Sequence, residues 1–177
     1  MSLRELLSQK RSPILKRWLD LIAASQPAGK PPVKTNKDPF SNPEGYTLNL
    51  ETEAIFSELV QDRMDTAKVC SSLENIIKIK AVQDITPGQA LSFMFLCKEA
   101  IIEELMDEIE KRNYLGQWLE LESRIDKLAT LSFDIYTQCR EKICQLRIKE
   151  IKAQKEIAYR IVELMNRAEE KPFEVME

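Results

Sequence analysis

Apolar side chains recur at helical spacings along almost the whole chain, broken by one long irregular stretch. Near the start, Leu3, Leu7, Ile14, Trp18 and Leu21 form one apolar stripe over residues 2–24. Ser12-Pro13 interrupts that stripe. Proline removes a backbone donor but is at home in a first helical turn, so the pattern predicts a short lead helix and a second one capped by Ser12. Residues 26–49 hold five of the eight prolines and two of the four glycines. Asp38-Pro39 and Asn42-Pro43 favour successive turns there. Phe40 and Tyr46, the only aromatic residues of the stretch, are expected to pin it to the helices. A loop of this length in a compact domain is usually functional or mobile, so Asp38, Phe40, Asn42 and Tyr46 belong either to a pinned connector or to a lid that contacts a partner or ligand.

Periodicity resumes with Leu50, Ala54, Ile55, Leu59 and Val60, behind Asn49 as an expected cap. A further helix is predicted from Asp65-Thr66 to about Val82, carrying Val69, Cys70, Leu73, Ile76 and Ile77. Thr86-Pro87-Gly88-Gln89 is the clearest local signal. Threonine followed three residues later by glutamine makes a capping box, with proline at the first helical position. The run Ala90–Cys97 is apolar almost all round, as in an enclosed central helix. Ile101, Ile102, Leu105, Met106 and Ile109 continue it, and 113–116 offers a stop.

From about Gln117 no helix breaker occurs until Pro172. Ile125, Leu128, Ser132, Ile135 and Cys139 alternate spacings of three and four. Ile148, Ile151, Lys155, Ala158, Val162 and Met165 repeat the rhythm in a shifted frame, with a stutter at 143–146. Some 50 residues of helix would reach ~75 Å, longer than a domain of this size. The last third is therefore expected to be an exposed extension that pairs with another chain through Ile148, Ile151, Ala158, Val162 and Met165. The division is a domain over 1–140 and a helical extension over 141–177.

Composition narrows the chemistry. The 177 residues include no histidine. That removes the usual general base near neutral pH, the commonest metal ligand and any histidine-ligated haem. No glycine-rich phosphate loop occurs, and the carboxylates fall in no diagnostic spacing, so no enzyme activity, cofactor or metal is expected. Net charge is −3, giving no global field toward nucleic acid or membrane. The segment MSLRELLSQKRSP lacks the apolar run of a signal peptide, and Ala90–Cys97 is too short to span a bilayer; a cytoplasmic protein is expected.

Four cysteines, Cys70, Cys97, Cys139 and Cys144, form no Cys-x-x-Cys pair and are expected to be buried, reduced thiols. Glu103, Glu104, Asp107, Glu108 and Glu110 spread around a helix rather than converging on one cation. Six basic and two acidic residues between Arg140 and Lys155 make a polar helix face, or a docking surface for an acidic partner. Trp18, Phe93, Phe95, Trp118 and Phe133 fall on faces predicted to be buried. They either fill the core or line a cavity for an apolar ligand such as an acyl chain.

Three stretches carry a family resemblance: residues 14–18 (ILKRW), 37–45 (KDPFSNPEG) and 81–90 (AVQDITPGQA). With them, the chain resembles the RsbRD-type N-terminal domain family of co-antagonists of the RsbT kinase, over roughly residues 5–140. The resemblance implies an all-α sensor domain. In related stressosome proteins the equivalent module is globin-like without haem, is dimeric, and passes its signal along a long helix into a STAS domain. Here the chain ends at Glu177 with no STAS domain, so a free-standing version is expected to signal by binding another protein. The expectation is an all-α, globin-like or bundle-like fold with a long C-terminal helix, acting as a homodimeric regulatory module. A carrier of a small apolar ligand and a plain structural adaptor are the alternatives.

Overall fold

The computed structural model describes residues 2–25, 40–83 and 85–169. Among the described residues six helices follow one another: α1 (Leu3–Gln9), α2 (Arg11–Ala24), α3 (Pro43–Leu59), α4 (Thr66–Ala81), α5 (Pro87–Lys111) and α6 (Leu115–Glu169). The described residues contain no strand. The fold is all-α with a long final helix. The chain divides into two compact units, Met1–Cys139 and Arg140–Glu177.

In the first unit α2 packs along α5 and α3 along α4, with lesser contacts joining α2 to α3 and α4 to α5. Trp18 of α2 and Phe93 and Met94 of α5 are enclosed at the first of these pairings. Ile55 and Phe56 of α3 lie with Leu73, Ile76 and Ile77 of α4 in the second, all fully buried. Each buried aliphatic or aromatic side chain contributes about 1.5–3 kcal/mol by leaving water. Two polar core residues are satisfied within their own helices: Thr52 Oγ1 donates to the Leu48 carbonyl at 2.6 Å, and Ser132 Oγ to that of Leu128 at 2.7 Å.

Helix α1 is only seven residues long and would not persist alone. Leu3, Leu6 and Leu7 hold it by burial, and Ser2 and Glu5 close a capping box at its start. The break before α2 falls at Lys10, not at Ser12. Ser12 and Pro13 lie inside the first turn of α2, where the missing proline N–H is not needed, and Lys10 supplies no side-chain cap. A second correction concerns α3, which starts at Pro43 rather than behind Asn49. Asn42 Oδ1 accepts from the Gly45 N–H at 3.1 Å, so the Asn42-Pro43 pair read as a turn is a helix start. Glu51 and Asn49 are interior helix positions; Glu51 is buried and accepts from Asn75 Nδ2 of α4 at 2.7 Å.

The sharp stop after α5 has a local cause. Asn113 has φ 55°, and its N–H reaches the Glu110 carbonyl while that of Tyr114 reaches Ile109 at 2.9 Å. This pair of bonds satisfies carbonyls that the helix end would otherwise leave open. Asparagine tolerates the left-handed region better than residues with a bare Cβ. Replacing Asn113 by alanine should cost about 1 kcal/mol and lower the melting temperature by a few degrees, while Asn113→Gly should not. Equal melting of the two variants would contradict this account of the turn.

The short turn folds α6 back along α5. Lys98 Nζ of α5 meets Asp126 Oδ1 at 2.5 Å and Glu122 Oε1 at 3.3 Å on α6, which fixes the two helices as an antiparallel hairpin. Arg124 secures α6 elsewhere: its guanidinium donates to the carbonyls of Gln61 at 2.6 Å and Asp62 at 3.2 Å, just past the end of α3. A cation there also suits the negative end of the α3 dipole. Trp118, Leu121, Ile125, Leu128, Ala129 and Tyr136 form the buried face of α6 in this unit.

Candidate interaction surfaces

In the second unit the described residues form a single helical segment. From Cys144 to Arg167 every side chain is exposed. Ile148, Ile151, Val162 and Met165 are each about half exposed or more, and Ala158 is exposed as well. These five share one face at alternating spacings of three and four. Leu146, Ile157, Ile161 and Leu164 are also exposed and widen the apolar surface beyond the predicted line. The wider surface was missed because it does not follow that single heptad frame.

Charged side chains line both the earlier and the later part of this helix. Toward its end, Glu156–Arg160 and Glu163–Arg167 pair within the helix, each at 2.8 Å. Such exposed pairs add only a few tenths of a kcal/mol each. Lys155 stands over the Tyr159 ring at 5.6 Å. The stretch 140–155 keeps its excess of basic side chains on an exposed surface.

The five aromatic residues expected on buried faces separate into two groups. Trp18, Phe93 and Trp118 are buried, and the Trp18 indole N–H donates to the Phe93 carbonyl at 2.6 Å. Phe95 and Phe133 are exposed by 54% and 53%. This corrects the expectation and means that the five do not line one enclosed cavity. The clefts found in the first unit are open and lined by other residues. One of them, about 590 Å³, is bordered by Arg11, Lys16, Asn49 and Glu53 among others.

Phe40 is 96% exposed, so its ring is not buried against the helices. Tyr46 stands on the first turn of α3, over a third exposed, and Asn42 is the α3 cap. Asp38 lies outside the described residues. The acidic group on α5 does not converge: Glu103 pairs with Arg17 of α2, Nη2 to Oε1 at 3.0 Å, and Asp107 pairs with Lys111 at 3.8 Å. The hydrogen bond from Arg17 holds the Glu103 carboxyl below the usual range. Among the described residues no three acidic or cysteine side chains are grouped to hold a metal ion. Burial lowers the Lys98 pKa, but its bonds to Asp126 and Glu122 outweigh that and leave it raised.

The cysteines also divide. Cys97 is fully buried and burial pushes its thiol pKa up; Cys70 and Cys139 are half-buried. Cys144 is exposed, against the expectation that all four are buried. A thiol reagent should therefore modify Cys144 at once and Cys97 at least ~1000-fold more slowly, because Cys97 must wait for the protein to open. Mass spectrometry of a time course would show it, and comparable rates at the two sites would contradict the packing of α5.

A family model matches residues 12–150, more than three quarters of the chain. The chain belongs to the RsbT co-antagonist protein rsbRD N-terminal domain family. That is a family of regulatory domains. The match includes α2 from its second residue, α3 to α5 and the part of α6 up to residue 150; α1 and the helix from Ile151 onward lie outside it. No curated protein sequence and no solved structure matches the chain. Among the described residues no helix is long and apolar enough to cross a membrane.

Proposed function

We propose that this RsbRD N-terminal-type domain is a non-enzymatic sensor module of stressosome type that works by protein–protein contact, as a homodimer in the cytoplasm. Its output element is the helix of the second unit. The observation that carries this reading is the exposed apolar face of that helix, with Ile148, Ile151, Ala158, Val162 and Met165 along it. Soluble chains rarely leave so extended an apolar face in water unless another surface covers it. Two helices with apolar residues at alternating spacings of three and four bury them by winding together.

Signalling then needs only two arrangements of this pairing that differ by a few kcal/mol, with the first unit favouring one of them when its stimulus acts. Membership of a co-antagonist family supports the regulatory half of the reading. The test is analytical ultracentrifugation of the full chain and of an Ile151→Lys/Val162→Lys variant, with capture of partners from the native cell by both. The wild type should associate and capture a partner, and the variant should do neither. Identical behaviour of the two proteins would defeat the assignment of the output helix.

A further inference from the structure

We infer that a second face of the output helix is a docking stripe for an acidic amphipathic helix of a different protein. This rests on the reading that the helix works by protein–protein contact, and it adds a partner class and a face that reading does not use. Leu146, Ala153, Ile157 and Leu164 recur at intervals of seven, four and seven, so they form one stripe. At ~100° per residue the stripe lies roughly 140° around the helix from the line through Ile148, Ile151 and Val162. All four residues are exposed, Leu146 and Leu164 by 65% and Ile157 by 58%.

A second copy paired along the first line does not reach this stripe. With Ile148 and Ile151 at heptad positions a and d, Leu146 and Ala153 take position f, and Ile157 and Leu164 take position c. Those positions point away from a two-stranded seam. A solvated helix face carries polar residues there. An apolar row in their place stays in water even in the dimer, so self-association through the first line leaves it without a cover.

Charge selects the occupant. Residues 140–155 carry six basic and two acidic side chains. Lys142 and Lys149, seven apart, run along one edge of the stripe, and neither makes an ion pair among the described residues. Farther on, the carboxylates are already engaged, Glu156 by Arg160 and Glu163 by Arg167. An incoming helix can lay its apolar face on the stripe, as amphipathic helices do in grooves. Carboxylates along its flank then meet the two unpaired ammonium groups, whereas a basic helix meets repulsion. Glu150 lies within the stripe between Leu146 and Ala153. It weighs against an anionic lipid surface, which would press it into like charge; a helical partner can set one cation against it.

The probe is a labelled synthetic helical peptide with leucine along one face and glutamate on both flanks. Its twin carries lysine in place of every glutamate. Titrated with the full chain and followed by fluorescence anisotropy, the glutamate peptide should bind at least ~10-fold more tightly than the lysine twin, and added salt should weaken it. Lys142→Glu/Lys149→Glu should reverse the order of the two peptides. Leu146→Lys/Ile157→Lys should lose the glutamate peptide, with thermal unfolding and self-association by sedimentation equilibrium unchanged. Equal binding of the two peptides, or undiminished binding to the Leu146/Ile157 variant, would overturn the inference. So would loss of self-association in that variant, which would assign the stripe to a further copy of this chain. Binding to phosphatidylglycerol vesicles without binding to the peptide would overturn it in favour of a lipid surface. A wild type that self-associates but binds neither peptide defeats the docking stripe and leaves the homodimer standing. A wild type that binds the glutamate peptide yet stays monomeric does the reverse.

Discussion

Replacing Trp18 by alanine should destabilise the first unit by about 3–5 kcal/mol, the largest effect expected of any single change in this chain. Trp18 is completely buried, and its indole N–H crosses from α2 to the Phe93 carbonyl of α5. Truncation removes the indole area from the core and opens a cavity between two helices whose packing cannot close fully over it. Domains of this size are stable by only about 5–15 kcal/mol, so a sizeable fraction would be lost. Trp18→Phe separates the two causes. It keeps most of the volume and deletes the N–H, and the Phe93 carbonyl, inside a helix, still has its own amide partner one turn on. That variant should lose only about 1–2 kcal/mol. Urea unfolding followed by circular dichroism measures both. A cost below 1 kcal/mol for Trp18→Ala would mean that the α2–α5 pairing is not the centre of the core.

The role of Trp18 was legible because it lies on an unambiguous stripe with Ile14, and both are fully buried. Local signals were equally readable. Thr86 accepts from the Gln89 N–H at 3.3 Å while the Gln89 side chain returns to the Thr86 N–H at 3.0 Å, as the spacing of those two residues predicts. Asp65 likewise caps α4 where the pattern began. Each of these signals is complete within four residues, and at these two places no distant contact overrules it.

Where the reading failed, the deciding contact came from elsewhere in the chain. The run Ala90–Cys97 is apolar all round, and periodicity alone does not say which side meets water; α2 covers Trp18's side of α5 and leaves Phe95 out. Phe133 falls on a stripe expected to face inward, whereas its neighbours Ser132 and Tyr136 are the buried positions. Asn49 resembled a cap because Glu51 follows it, but Glu51 answers to Asn75 on the next helix. Arg124 gave no signal at all. Its three helix-end carbonyls at 59, 61 and 62 come within reach only once α6 has folded back. Cysteine usually behaves as a small buried hydrophobe, but Cys144 stands on a segment where the structure leaves every side chain exposed.

The Ile151→Lys/Val162→Lys variant should abolish association through the output helix, raising its dissociation constant 100-fold or more while the monomer keeps its stability. Both residues are more than half exposed, so neither contributes much to the folded monomer, and surface changes of this kind usually stay within ~0.5 kcal/mol. Lysine is also a good helix former, so the helix itself persists. In a dimer the two positions contribute four side chains to the seam, each worth about 1.5–3 kcal/mol when fully buried, so a 100-fold loss is a conservative bound. Lys155 sharpens the test, because it already occupies a seam position between Ile151 and Ala158. A charge there weakens a coiled coil while fixing its register. Lys155→Ile should therefore tighten the dimer. If the strands run parallel, the two Lys155 ammonium groups face each other, so added salt should strengthen wild-type association and leave Lys155→Ile unmoved. A dimer indifferent to all three changes would mean that the apolar face of this helix is covered by a different protein.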